Sequence, residues 1–388
     1  MKQPEVNQTD ISTVDSGSFR DRDGRIYHVD GRIIRGLSAG ALADFEKLLT
    51  KTFYTRCLDQ GLLVDTELLD SQHVPLPAEE RARWAAFVEH QRVPVISYPY
   101  EWTFGMLQDA ALLQLDLVEA AILEGMTLKD ATPYNVQFMN GRPDFIDIPS
   151  FEVLQPGSPW AGYRQFCEMF LFPLMLQSYK GVPFQPLMRG NIDGVGVQMA
   201  ARLFSGRDRF RRGVLSHVWL QSKLDRRYGN SRQDVRTDLK SAGFGKELIL
   251  ANVRKLRKLV GRLQWQGEDS EWGAYEAFHN YSASDHSLKE SFIDESVAGS
   301  GASCVWDIGC NTGQFSKIAA RHAERVLAMD LDHFAVERLY REVRSEGYGN
   351  ILTLVQNVAD PSPNWGWRNR ERTDLSSRAR PDLVLCLA

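Results

Sequence analysis

The sequence predicts an α/β protein in two parts, a nucleotide-binding parallel sheet at the C-terminal end preceded by an α+β region. Three observations carry that prediction. Val305-Trp306-Asp307-Ile308-Gly309-Cys310-Asn311-Thr312-Gly313-Gln314-Phe315 runs from an apolar stretch through an acid and two glycines into helical spacing at Phe315, Ile318 and Ala319. This is the strand, tight turn and helix that open a doubly wound sheet. Residues 325–330 form a second apolar run ending in a carboxylate, at the roughly 20-residue interval where such folds place a ribose-binding acid. Residues 351–358 and 381–388 then read as third and fourth strands.

The turn chemistry narrows the ligand. A dinucleotide fingerprint, Gly-x-Gly-x-x-Gly, uses small residues so that backbone can close on a pyrophosphate. Here Asn311 stands at the place of the second glycine. An acid at the strand tip repels a pyrophosphate and suits an amine-bearing, cationic ligand. The pattern Asp-x-Gly-x-x-x-Gly resembles motif I of the class I S-adenosylmethionine (SAM) methyltransferases, and so implies a Rossmann-like domain of that class. The resemblance implies that Asp307, Gly309, Asn311 and Gly313 shape the methionyl site, with Asp307 near the amino group of SAM. It implies Asp330 as the ribose ligand, Asp332 as its reserve, and Asn357 and Val358 as the frame for adenine. Asn357 stands where many relatives carry Asp, and its carbonyl oxygen still suits the adenine amino group. Lys289, ahead of the first strand, is a candidate partner for the SAM carboxylate, a solvent-facing lysine being the plainer reading. The alternative is another doubly wound domain whose carboxylates only cap helices.

Composition sets bounds. At 388 residues the chain has room for two domains. Its 43% hydrophobic and 25% charged content is that of a soluble globular protein, and a net charge of −4 supplies no global field for nucleic acid. No apolar run approaches the roughly 18 residues of a membrane span, and the polar N-terminus lacks a signal-peptide core. The 5 cysteines form no CxxC pair, which argues against a disulfide framework or a zinc site and for a reducing cytoplasm.

Along the chain, polar residues 1–20 predict a disordered lead-in. An α+β domain is expected at 21–262, a linker and pre-sheet helix at 263–300 (the linker at 266–270), and the sheet domain at 301–388. Asp30-Gly31 and Asn140-Gly141 signal two-residue type I′ hairpins. Spacing at Leu42, Phe45, Leu48, Leu49 and Phe53 predicts one helix with Lys47 exposed. Another helix is expected around 81–89, a short strand at 94–98, and a long helix from Met106 to Ala121 that ends at Gly125. Residues 160–265 read as mostly helical, with a helix kinked by Pro173 and a basic helix from Lys246 to Leu263. Arg202, Arg207, Arg209, Arg211, Arg212, Arg226 and Arg227 make the middle locally basic. This reads as a solvated helical face, with a site for RNA or an anionic lipid headgroup as the alternative.

A second stretch carries chemistry. Leu128-Lys129-Asp130-Ala131-Thr132-Pro133-Tyr134-Asn135, then a hairpin and Phe145-Ile146-Asp147-Ile148-Pro149, resembles the catalytic centre of the protein-kinase-like fold. The resemblance implies Asp130 as base for an attacking hydroxyl and Asn135 and Asp147 as magnesium ligands beside ATP phosphates. A hard cation needs such converging oxygens. The departures are specific. Leu128 and Lys129 replace His-Arg, Ile148 and Pro149 replace Phe-Gly, no glycine-rich loop lies upstream, and Arg35 is the one possible substitute for a strand lysine. The alternative is an inherited scaffold, or an unrelated helix and hairpin whose Asp and Asn cap turns.

Ser97-Tyr98-Pro99-Tyr100-Glu101-Trp102 with residues 128–135, and residues 307–313 with Asp360-Pro361-Ser362-Pro363-Asn364-Trp365-Gly366-Trp367, point further. Together they resemble a bacterial two-part family labelled SAM-dependent methyltransferase or nodulation (NoeA-like) protein, from about Ser18 onward. That resemblance implies methyl transfer from SAM to an acceptor that no residue here identifies. The alternatives are ATP- and magnesium-dependent phosphotransfer, or a non-catalytic SAM-binding scaffold. Methyltransferase sheets of this class have seven strands, so the sheet is expected to be truncated after about strand 4.

Overall fold

The computed structural model describes residues 13–228, 245–265 and 283–387. Most of the expected lead-in (1–12) and the linker expected at 266–270 lie outside them.

An antiparallel five-stranded sheet, ordered β1-β2-β3-β5-β4, opens the fold. Its strands are β1 (Thr13–Val14), β2 (Gly24–Val29), β3 (Arg32–Leu37), β4 (Thr66–Leu69) and β5 (Ala86–His90). The Asp30-Gly31 hairpin forms as its residues dictate, with φ of 50° and 78°; the type I′ turn needs φ > 0 at both positions. The lead-in expectation fails for its last residues, because Thr13 and Val14 pair with His28 and Tyr27.

Three other expectations are corrected. The helix foreseen from Leu42 to Phe53 is two, α1 (Ala39–Leu49) and α2 (Thr52–Asp59). The break is stabilised by Glu124, whose carboxylate accepts from the Thr52 and Phe53 N–H groups at 2.9 and 2.8 Å, a cap from a distant residue. The helix foreseen around 81–89 is a single turn, α3 (Ala78–Arg81), followed by β5. Ala86, Phe87 and Val88 are all buried between neighbouring strands, and a short apolar run does not distinguish strand from helix. Residues 94–98 form no strand. Instead the Gln137 amide stands in for a neighbouring strand, accepting from Ser97 N–H at 2.8 Å and donating to Ser97 C=O at 3.0 Å.

The central element of this region is α4 (Phe104–Leu123). Leu107, Ala110, Ala111, Leu115, Val118 and Ile122 are fully buried, as expected of a helix apolar on most sides. It feeds two small antiparallel ladders. In one, β6 (Met126–Leu128) pairs with β9 (Phe151–Val153); in the other, β7 (Val136–Met139) pairs with β8 (Arg142–Phe145) across the Asn140-Gly141 turn. Helices α5 (Tyr163–Phe166) and α6 (Phe172–Lys180) are joined by a π-helical turn, Cys167–Leu171. Pro173 just beyond lacks the N–H an α ladder would use there. There follow α7 (Gln185–Gly190), α8 (Val197–Leu203), a π-helical segment Val214–Leu220, α9 (Gln221–Tyr228) and the basic α10 (Lys246–Val260), which packs along α4.

The C-terminal region is α11 (Ala283–Ser300), β10 (Cys304–Ile308), α12 (Gln314–Ala319), β11 (Arg325–Asp330), α13 (His333–Glu346), β12 (Ile351–Val355), α14 (Leu375–Arg378) and β13 (Leu383–Cys386). Its sheet is parallel throughout, ordered β12-β11-β10-β13. Because β10 lies between β11 and β13, the strand order reverses beside it. Open α/β sheets place ligands in the crevice beyond the C-terminal strand ends at such a reversal, here at the end of β10 between β11 and β13.

The two regions share a desolvated contact. The first N–H groups of α4 are capped from α13: Phe104 N–H donates to His333 Nε2 at 3.0 Å and Gly105 N–H to Glu337 Oε2 at 2.8 Å. Such end groups have no partner within their own helix. Gly105 leaves this approach open, since a Cβ there would lie 2.8 Å from Glu337 Oε1 and 3.1 Å from the Tyr340 ring. Glu101 and Arg378 form an ion pair at 2.5 Å with side chains 0% and 4% exposed.

Candidate functional site

The crevice is built from two strand ends and the turn between them. After β10 the chain folds back on β11: Gly309 and Cys310 N–H groups both donate to Met329 C=O, at 2.8 and 3.1 Å. Closing the turn requires φ of 74° at Gly309, 48° at Asn311 and 82° at Gly313. Glycine reaches that region freely and asparagine more readily than other residues, which accounts for those residue types.

Asp330 ends β11 beside this turn. Its Oδ2 accepts from Asn311 N–H at 2.8 Å and its Oδ1 from Asp332 N–H at 2.8 Å. Two neutral amides fix the carboxylate without cancelling its charge, and each oxygen retains acceptor capacity. Asp332 plays another part: its Oδ1 caps α13 by accepting from Phe334 and Ala335 N–H at 2.8 and 3.2 Å. Of the two acids, Asp330 is the one presented to the crevice.

Asp307 is buried, and its Oδ2 accepts from Ser316 Oγ at 2.5 Å. Burial raises its carboxyl to about 6, against the opposing pull of the Ser316 hydrogen bond. It braces β10 against α12. The neighbouring Asn311 Oδ1 is buried with no partner among the described residues. Lys289 is not solvent-facing: it is half-buried on α11, donates to Leu387 C=O at 3.0 Å and sits 4.9 Å from the Phe315 ring centre. After β12, Asn357 is half-buried with its Oδ1 on Ala359 N–H at 2.9 Å, and Val358 is exposed. Leu331, unmentioned in the sequence reading, is 66% exposed. Its signal was available, since an apolar residue directly beyond a strand-tip acid has no core to enter. A concavity of about 520 Å³ lies elsewhere, at the N-terminal ends of β11 and β12.

The other three candidates meet between β6 and β9. Asn135 Nδ2 donates to Asp147 Oδ2 at 3.1 Å. Asp130 is near enough that, after its own partial burial, the Asp147 charge is the next cause of its raised pKa. Arg35 on β3 completes the cluster with 2.5 Å ion pairs to both Asp147 and Asp21; Lys47 is exposed on α1. The substitute cation was named in sequence reading, but its partner Asp21 was missed for want of any motif. Asp147 thus has one oxygen on a guanidinium and the other on an amide, where the kinase-like resemblance implies a magnesium ligand. Asn135 Oδ1 and Asp130 are the oxygens that remain for a cation.

No family model matches the chain. Among solved structures, vaccinia related kinase 3 is similar over 66% of this chain and 94% of that one, at 10% identity and a TM-score of 0.29, too slight a likeness to bear on the fold. Nodulation protein NoeA of Rhizobium meliloti (strain 1021) is 34% identical over 377 residues, which span 96% of this chain and 78% of that protein. At that identity and coverage, the chain belongs to the family of nodulation protein NoeA.

Proposed function

We propose that the chain is a SAM-dependent methyltransferase whose cofactor lies across the C-terminal ends of β10, β11 and β12. The observation that carries this reading is the Asp330 carboxylate, held by two backbone N–H groups beside a turn of three left-handed residues. A carboxylate so held can accept hydrogen bonds from the two hydroxyl groups of a ribose. The residues around it fit the rest of the molecule. Leu331 and Val358, both exposed at the strand ends, supply apolar surface for an adenine ring. The orphaned Asn311 Oδ1 is an acceptor for the ammonium, and the φ > 0 turn lets backbone approach the methionyl chain. SAM supplies an electrophilic methyl on a sulfonium that leaves readily. The protein's work is accordingly to hold an acceptor in line with that methyl and to exclude water. Calorimetric titration with SAM and S-adenosylhomocysteine tests the reading. Saturable binding, weakened by Asp330→Ala, supports it; a folded chain that binds neither contradicts it.

A second reading, ATP- and magnesium-dependent phosphotransfer, is favoured by the convergence of Asp130, Asn135 and Asp147. It requires Arg35 to release Asp147 or share it with the metal. Magnesium-dependent ATP binding that is lost in Asp147→Ala would support it.

A further inference from the structure

We propose that residues 197–225 form a face that docks this protein on an anionic lipid surface. The face consists of α8, the short turn Gly206–Phe210, the π-helical segment and α9, packed side by side. Its inward residues, Val197, Ala200, Val214 and Val218, are buried. Several outward residues are apolar too: Leu203, Leu215, Leu220 and Leu224 lie between 42% and 55% exposed, and Phe210 at the tip of the turn is 88% exposed. Such a cluster is unusual for a soluble surface, where isolated apolar side chains are the norm.

The charge around it has one sign. Arg202, Arg207, Arg209, Arg211, Arg212 and Lys223 are exposed on this face. Its acids are withdrawn: Asp208 is buried and paired with Lys180 at 3.1 Å, and Asp225 is half-buried and paired with Arg164 at 2.9 Å. Arg211 also reaches Asp208, whereas Arg202, Arg207 and Arg212 make no ion pair among the described residues. A protein of net charge −4 thus concentrates cations around its exposed leucines and one protruding phenylalanine.

That pairing of groups fits a bilayer surface, where apolar side chains enter the headgroup boundary and arginines meet lipid phosphates and carboxylates. It fits single-stranded RNA less well, because bases are held by aromatic platforms and the exposed apolar area here is chiefly aliphatic. No helix among the described residues is long and apolar enough to cross a membrane, so the contact is one of lying on the surface.

The test is sedimentation of the full chain with two kinds of vesicle. One is phosphatidylcholine alone; the other contains roughly 30% phosphatidylserine, an anionic lipid of the kind that attracts basic segments. Binding to the anionic vesicles only, weakened by salt, is expected. Phe210→Ser, and separately the double change Arg207→Ser and Arg212→Ser, should each lower the partition coefficient about fivefold or more. Both alter exposed side chains, and an unchanged thermal unfolding curve verifies the fold. Four results would overturn the proposal: no binding to anionic vesicles, equal binding to both kinds, unaltered binding by both variants, or a lipid-free dimer that Phe210→Ser dissociates. Capture of single-stranded RNA by this face, with vesicles ignored, would reassign it to nucleic acid.

Discussion

Asp330 ends a short strand and Asp147 sits on the turn that follows one, yet their surroundings differ in kind. Asp330 is held by two amides and has no ion pair among the described residues. Asp147 is held by a guanidinium and an amide, and its charge is matched within the protein. A carboxylate fixed by neutral donors is ready for a ligand's hydroxyls or a cation. One fixed by arginine is first a structural element. The lesson is that convergence of the expected residue types does not by itself make a site; the charge of what holds them decides.

Removing the holding group should separate the two most strongly. Arg35→Ala leaves Asp147 and Asp21 facing each other without their cation, and should cost about 3–5 kcal/mol of stability, read as a lower urea midpoint. The matching change in the other site, Asp330→Ala, leaves two N–H groups at the crevice mouth and should cost only about 1 kcal/mol. Equal losses would break the comparison. The same Asp330→Ala change should weaken SAM binding roughly 10- to 100-fold, as expected when hydrogen bonds to a charged group are lost.

The contact between the regions gives the next effect. Gly105→Ala places a methyl against Glu337 and the Tyr340 ring and should destabilise by about 1–3 kcal/mol. If SAM affinity fell with it while thermal stability did not, α4 and the crevice would be coupled through α13 rather than merely packed.

Two pH effects sharpen the picture further. Burial raises the Asp307 carboxyl from its ordinary 3.8 to about 6. Its contribution to stability is therefore full below about 3.8 and is lost as pH rises through about 6. Asp307→Asn should flatten that part of a pH–stability profile. His333, neutral while it accepts from Phe104 N–H, is lowered by burial from 6.5 to about 3. Its contribution is full above about 6.5 and declines as pH falls toward 3, and His333→Gln should remove that decline.

Legibility in the sequence followed the range of the interactions. Both hairpins were written in two residues each, and the four parallel strands in short apolar runs, two of them with an acid at or next to the tip. The preference for Asp330 over Asp332 was also local, because Asp330 directly follows the apolar run. Contacts across the fold left no such mark. Nothing near Thr52 announces Glu124, nothing near Ser97 announces the Gln137 amide, and residues 86–90 became a strand because two neighbours flank them. Arg35 carries no sign of Asp21 and Asp147. The candidate residues between β6 and β9 were consequently identifiable as types, while the ion pairs that set their chemistry were not.

The central claim is that Asp330, and not the Asp147 cluster, receives the cofactor. Calorimetric titration of SAM into the intact chain, Asp330→Ala and Asp147→Asn tests it most directly. The account predicts saturable binding by the intact chain and by Asp147→Asn, and a roughly 10- to 100-fold loss in Asp330→Ala. Undiminished binding by Asp330→Ala, or a loss confined to Asp147→Asn, would contradict it.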